Sequence, residues 1–182
     1  MASLSGKKVA FVATNGFEDS ELTQPWEAVT AQGAEAVLIA PESGTITGKK
    51  GHEQRVDVVT AEARPADYDG LVLPGGVANG DHLRMDEPAV AFVREIFAQH
   101  KPVGVICHGG WILTDADVLH GRTITSYPSL KTDLANAGAS WVDEEVVVDA
   151  GLVSSRTPDD LPAFNAKLVE ELAEGPHSGQ TA

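Results

Sequence analysis

The sequence of 182 residues is poor in cysteine, in aromatic side chains and in positive charge: one Cys, three Trp, two Tyr and five Phe, with 13 Lys and Arg against 27 Asp and Glu. A single cysteine, Cys107, excludes an intrachain disulfide framework and any multi-cysteine zinc or iron–sulfur site. The formal net charge of −14 argues against sequence-independent nucleic-acid binding, which needs clustered Lys and Arg to displace counterions from phosphates. Only Lys7-Lys8 and Lys49-Lys50 come as pairs. No run approaches the ~20 apolar residues of a membrane span. The opening Met1-Ala2-Ser3-Leu4-Ser5-Gly6-Lys7-Lys8 is too polar for a signal peptide, so a cytoplasmic protein is the expectation. His52, His82, His100, His120 and His177 are scattered without ligand spacing, and neither a metal nor a cofactor is expected.

What is present is globular: 42% hydrophobic and 22% charged residues, long enough for one domain with a real core. The domain is read as residues 1–173, followed by a Gly/Ser/Pro/Thr-rich tail, 174–182, expected to fray. Within the domain, short all-apolar runs alternate with helical segments. Val9–Ala13, Ala36–Ala40, Gly70–Leu73 and Val103–Ile106 read as strands buried on both faces. Val56–Thr60 reads as a further strand, part of an antiparallel excursion, and Val146–Ser154 as a hairpin turning on Asp149-Ala150-Gly151. Helices are expected from Asp19 or Ser20 to Gln32, from Asp86 to Gln99, from Gly110 to Val118, from Leu130 to Ala137, and from Pro158 to Ala173 with Thr157 as cap. Pro25 predicts a distorted or later start for the first of these. Such alternation specifies an α/β three-layer sandwich, a mostly parallel sheet with helices on both faces, flavodoxin-like. Ligands of such sheets bind beyond the carboxyl ends of the strands, which points to the loops 15–21, 74–81 and 107–110.

Those loops hold the chemistry. Ile106-Cys107-His108-Gly109-Gly110 places a nucleophile between a buried strand and a glycine-rich helix start, the layout of a nucleophile elbow. Unpaired amides and the helix dipole there favour a thiolate. Pro74-Gly75-Gly76 ends a neighbouring strand, and a Gly75 or Gly76 amide facing the cysteine would complete, with that of His108, an oxyanion hole. In the first loop, a helix starting near Asp19 turns Glu18 or Glu21 toward the strand end that carries Cys107.

Together these segments resemble a known family. Asn15-Gly16-Phe17-Glu18-Asp19-Ser20-Glu21-Leu22, Gly44-Thr45-Ile46-Thr47-Gly48, Leu73-Pro74-Gly75-Gly76, Ile106-Cys107-His108-Gly109, Thr125-Ser126-Tyr127-Pro128 and the run from Trp141 to Asp149 occur in order and at suitable separations. From Lys7 to about Leu172 the chain resembles the PfpI intracellular protease family, of the superfamily named for the Parkinson-disease deglycase, with the class I glutamine amidotransferase-like fold. The resemblance implies Cys107 as nucleophile and Glu21 as the glutamate contacting its sulfur. It also implies Glu18 as a second carboxylate, Gly75 and His108 as oxyanion-hole donors, and Tyr127 in the cleft wall. An acid from a neighbouring subunit, best matched by Asp81, would pair with His108 in a homodimer or higher oligomer. Gly109-Gly110 departs from the Gly-Pro common in the family. Three functions follow from the resemblance: a stress-response enzyme acting on reactive carbonyls or glycation adducts, a peptidase on small peptides, or a redox sensor or chaperone using Cys107 oxidation. Glutamine hydrolysis is excluded, since no His-x-Glu pair stands late in the chain.

Overall fold

In the computed structural model, which describes residues 3–182, β1 (Lys8–Val12) leads through α1 (Asp19–Ala31) to β2 (Glu35–Ala40). A small hairpin, β3 (Thr45–Thr47) and β4 (Glu53–Arg55), precedes β5 (Val58–Val59) and β6 (Gly70–Leu73). Two helices, α2 (Val77–Leu83) and α3 (Glu87–Ala98), lead to β7 (Val103–Ile106) and, after a 3₁₀ turn over Cys107–Gly110, to α4 (Trp111–Ala116). The chain then forms β8 (Thr123–Ile124), α5 (Lys131–Asn136), β9 (Ser140–Trp141), the hairpin β10 (Val147–Asp149) and β11 (Leu152–Ser155), and α6 (Leu161–Glu174).

Seven strands form one sheet in the order β10-β11-β7-β6-β1-β2-β5, parallel except for β10. Alternate residues of each strand enter opposite cores, which is why the strands read as unbroken apolar runs. Val9 and Phe11 pack with Leu22 and Val29 of α1 and Phe164 and Leu168 of α6. Ala10 and Val12 pack with Phe92, Val93 and Ile96 of α3 and Leu113 of α4. The result is the three-layer α/β sandwich specified by the pattern. Gly104 in β7 lets α6 lie close, since a Cβ there would stand 2.8 Å from Leu168 Cδ1 and 2.9 Å from Phe164 Cζ.

Several elements depart from the sequence reading. The antiparallel excursion is β3–β4, whereas β5 runs parallel to β2 and covers only Val58–Val59. The first helix starts at Asp19 and runs through Pro25, which removes the N–H that would bond the carbonyl of residue 21. Its N-cap is Glu18, whose carboxylate makes no cap bond, and Asp19, the expected cap, instead accepts the amides of Lys50 (3.1 Å) and His52 (2.9 Å). Asp86 does cap its helix, accepting from the Ala89 amide at 3.1 Å. Thr157 precedes a 3₁₀ turn and makes no side-chain cap bond. The tail expected to fray is tied down. Gln180 is fully buried: its Oε1 accepts from Arg122 Nη1 at 2.7 Å, its Nε2 donates to the Lys101 carbonyl at 3.0 Å, and its own carbonyl meets His100 Nδ1 at 2.5 Å. Arg122, buried against the Phe97 ring 4.9 Å away, needs acceptors, which the Gln180 side chain and the Thr181 carbonyl supply, and composition alone does not reveal that demand.

Candidate active site

The site forms where sheet register brings three strand ends together. β6 lies between β1 and β7, with Phe11 opposite Val72 and Leu73 opposite Val105, so the segments after Val12, Leu73 and Ile106 leave the sheet side by side. β11 flanks β7 with Ser155 opposite Ile106, which delivers Thr157 and Pro158 to the same edge. There a cavity of about 210 Å³ is lined by Glu18, Glu21, Lys49, Gly76, Val77, Cys107, His108, Tyr127, Thr157 and Pro158. Larger clefts exist, including one of about 350 Å³ beyond the ends of β1 and β2, but that cleft contains neither the cysteine nor Glu21. Chemistry rather than size selects the smaller cavity.

Cys107 is held at φ +60°, a left-handed conformation that non-glycine residues rarely adopt, directly after an extended Ile106. That turn is the expected elbow, and it leaves Cys107 8% exposed, lining the cavity. The sulfur meets Nδ1 of His108 at 3.1 Å. His108 Nε2 meets Ser129 Oγ at 3.3 Å, its ring stacks on Tyr127 (centroids 4.6 Å apart, 26° between planes), and Trp111 meets it edge-on at 5.3 Å. An imidazole clamped on three sides has one orientation.

Glu21, in the first turn of α1, is fully buried. Its Oε1 accepts from the Gly75 amide at 3.0 Å, while Oε2 has no hydrogen-bond partner. The carboxyl and the thiol are nonetheless near enough for each to shift the other. Burial, reinforced by the charge of Glu18, pushes the Glu21 carboxyl up to about 8, so it holds its proton at neutral pH. Burial and the neighbouring Glu21 push the Cys107 thiol up to about 12, against the opposing pull of the His108 and Gly76 amides and Lys49. The expectation of a resting thiolate therefore fails: α4 has only six residues and its dipole is small beside the desolvation of a buried sulfur. Burial, with Lys49 nearby, also lowers the His108 imidazole, which is neutral.

Of the two glycines offered as oxyanion donors, Gly76 faces the sulfur, while the Gly75 amide is taken by Glu21. Gly75 must be glycine on steric grounds, because a Cβ would lie 2.3 Å from Glu21 Oε1 and 2.7 Å from Cys107 Cβ. Glu18 belongs to a different cluster from the one expected. Its Oε2 pairs with Lys49 Nζ at 2.5 Å and its Oε1 with Lys50 Nζ at 2.8 Å. Burial alone would raise its carboxyl, but the two ammonium groups outweigh burial and hold it ionised. Two predicted residues do not line the cavity: Gly75, whose amide is taken by Glu21, and Asp81, which lies exposed on α2.

Sequence reasoning missed Lys49, Ser129 and Asn79. Buried Asn79 donates to the carbonyls of Pro74 (3.0 Å) and Gly75 (3.1 Å) and accepts from the Thr14 amide (2.7 Å), pinning the glycine loop to the end of β1. That role required α2, and residues 74–81 had read as loop. Lys49 directly follows the Gly44–Gly48 motif, which was the available signal.

Among the described residues no three His, Cys, Asp or Glu side chains form a metal-holding group, and no helix is long and apolar enough to cross a membrane.

Residues 7–171 match the DJ-1/PfpI family. The chain is 47% identical to deglycase PH1704 of Pyrococcus horikoshii and 45% identical to deglycase PfpI of Pyrococcus furiosus, in each case across 91% of this chain and 99% of the relative. Among solved structures, it matches a two-domain protein from Anabaena variabilis with DJ-1/ThiJ/PfpI-like and ferritin-like domains at a TM-score of 0.89 and 33% identity. The match covers 97% of this chain and spans half of that larger protein. With likeness running from end to end, in sequence and in fold, the chain belongs to the DJ-1/PfpI family.

Proposed function

We propose that the protein is a cysteine-dependent enzyme acting on reactive carbonyl compounds and their early adducts with amines, a deglycase- or glyoxalase-type activity serving the stress response. The observation that carries this reading is the 3.1 Å contact between the Cys107 thiol and a neutral, immobilised His108 imidazole in a small cavity shared with a protonated carboxyl. The relatives named deglycase support it. A resting thiolate is not needed. As Sγ bonds to the carbonyl carbon, the thiol proton passes to His108 Nδ1 and then to the carbonyl oxygen, leaving a hemithioacetal. With a 2-oxoaldehyde, hydrogen then moves from C1 to C2 with Glu21 or His108 carrying the proton. Water hydrolyses the resulting thioester to a 2-hydroxy acid and restores the thiol. With an amine adduct, the sulfur–carbon bond forms as the carbon–nitrogen bond breaks, and the amine leaves with a proton. The Gly76 and His108 amides stabilise negative charge arising beside them.

The test is consumption of methylglyoxal, and release of amine from a methylglyoxal–N-acetyl-lysine adduct, by wild type and the Cys107→Ser and Cys107→Ala variants. Activity in the wild type alone is expected. No wild-type activity, or activity retained without the sulfur, refutes the reading.

The same sulfur–imidazole contact favours a second reading, a cysteine peptidase. A peptidase needs an acid to orient and charge-stabilise the histidine. His108 has the Ser129 hydroxyl at Nε2 instead, so this reading requires Asp81 from a second copy in a homo-oligomer. Hydrolysis of a fluorogenic peptide, lost in Asp81→Asn, separates it from the first. A redox-sensor role is less favoured by a cysteine held protonated and buried, because oxidation tracks thiolate character and access.

A further inference from the structure

Lys49 brings an ammonium group to the cavity wall of a chain whose net charge is −14. Among the titratable groups that line it, Glu21 and Cys107 hold their protons, His108 is neutral, and the charges that remain are those of Glu18 and Lys49. Lys49 does not have Glu18 to itself: the other carboxylate oxygen is engaged by Lys50, so one carboxylate serves two ammonium groups. The Lys49 side chain is half-exposed there, and one bond to Glu18 leaves N–H groups over on an ammonium that carries three.

Its position is built rather than incidental. The Lys49 amide donates to the Phe17 carbonyl at 2.9 Å, and the Asp19 carboxylate takes the amides on either side of Gly51, those of Lys50 and His52. The turn of the β3–β4 hairpin is thereby fastened to the start of α1. Gly48 is required for the approach, since a Cβ there would fall 2.1 Å from Asp19 Oδ1. The cavity, about 210 Å³, is smaller than the ~300–1,000 Å³ typical of drug-sized ligands, which restricts it to small molecules.

We propose that Lys49 is an anion-recognition point beside the nucleophile, so that the site prefers small carbonyl compounds bearing a carboxylate. The substrate class rests on the carbonyl reading above; the anion site itself does not.

Two alkylating reagents separate them. Iodoacetate and iodoacetamide react identically with Cys107: the sulfur–carbon bond forms, iodide leaves, and the thiol proton goes to solvent. They differ only in a carboxylate. The ratio of their rate constants at pH 7.5 therefore cancels changes in thiol acidity and access. The ratio is expected to fall roughly three- to fivefold in Lys49→Gln, the size for a partly exposed charge. Lys167→Gln on α6 removes the same net charge far from the site and controls for the field of the whole molecule. Equal falls in both variants, or none in Lys49→Gln, overturn the anion site. Glyoxylate and glyoxal, as competitors that protect Cys107 from iodoacetamide, test the substrate class. Better protection by glyoxylate, abolished in Lys49→Gln, supports it. Protection by neither, with the alkylation ratio still falling, keeps the anion site and refutes carbonyl binding. Protection by glyoxal alone refutes the preference.

Discussion

Replacing Glu21 with Gln keeps the shape of a protonated carboxyl and an acceptor for the Gly75 amide, but removes the ability to ionise. The carboxyl stands at about 8 in the fold against an ordinary 4.5. At ~1.4 kcal/mol per tenfold change in proton affinity, ionising it within the fold costs roughly 5 kcal/mol, a large part of the ~5–15 kcal/mol stability of a domain. The sign follows from proton counting. Between pH 4.5 and 8 the native state binds more protons at this position than the unfolded chain does, so stability falls as pH rises through that window. The Gln variant has no such dependence. Relative to wild type it should gain little by pH 5, roughly 3 kcal/mol by pH 7, and nearly all the rest by pH 8.5. Urea unfolding followed by tryptophan fluorescence at pH 5, 6, 7, 8 and 8.5 measures this, and titrations common to both proteins cancel in the difference. A stability difference flat across the window would mean that Glu21 ionises normally in the fold, and the proton assignments of the site would fall with it.

Two further outcomes follow from the same structure. Because His108 is held neutral and Glu21 holds its proton to about 8, kcat/KM for methylglyoxal should be level between pH 6.5 and 7.5. It should drop as Glu21 ionises beside the sulfur near pH 8, in the wild type but not in Glu21→Gln; a rise through pH 8 in both proteins would contradict this. Gln180→Ala should destabilise the fold by ~1–3 kcal/mol in urea, because buried Arg122 loses an acceptor 2.7 Å away, and a truncation after Gly175 should cost at least as much. An unchanged midpoint in both would mean that the tail does not hold Arg122.

How much was legible depended on whether the governing interaction was local. The strand runs were readable because both faces of each strand are buried, so apolar residues such as Val9 to Val12 follow one another without a polar break. The elbow was readable because nucleophile, neighbour and glycines are consecutive. Glu21 was readable through the resemblance, together with its place in the first helical turn. The rest turned on partners far apart in the chain. Asn79 acts across 65 residues to reach Thr14, Lys49 reaches back to Glu18, and Gln180 reaches across 58 residues to Arg122. Composition made that last segment look like a tail, although buried Arg122, with His100 and Lys101, holds it. Gly75 was assigned to the right loop and the wrong partner, since nothing local says whether an amide faces a carboxylate or a sulfur.

The thiol's acidity was misjudged for a reason that bears on mechanism. Local pattern reports the helix start and its amides, which favour an anion; burial is a property of the whole fold and acts the other way. At Cys107 burial wins, and the pair Glu21–Cys107 keeps both protons at neutral pH. Such a site needs no resting thiolate, because His108 Nδ1 lies 3.1 Å from the sulfur and is itself neutral. In the proposed reaction proton transfer and bond formation occur together, and entry to the small cavity beside Lys49 governs which carbonyl reaches the sulfur. On that proposal selectivity comes from entry and orientation, with a thiol that stays protonated until substrate arrives.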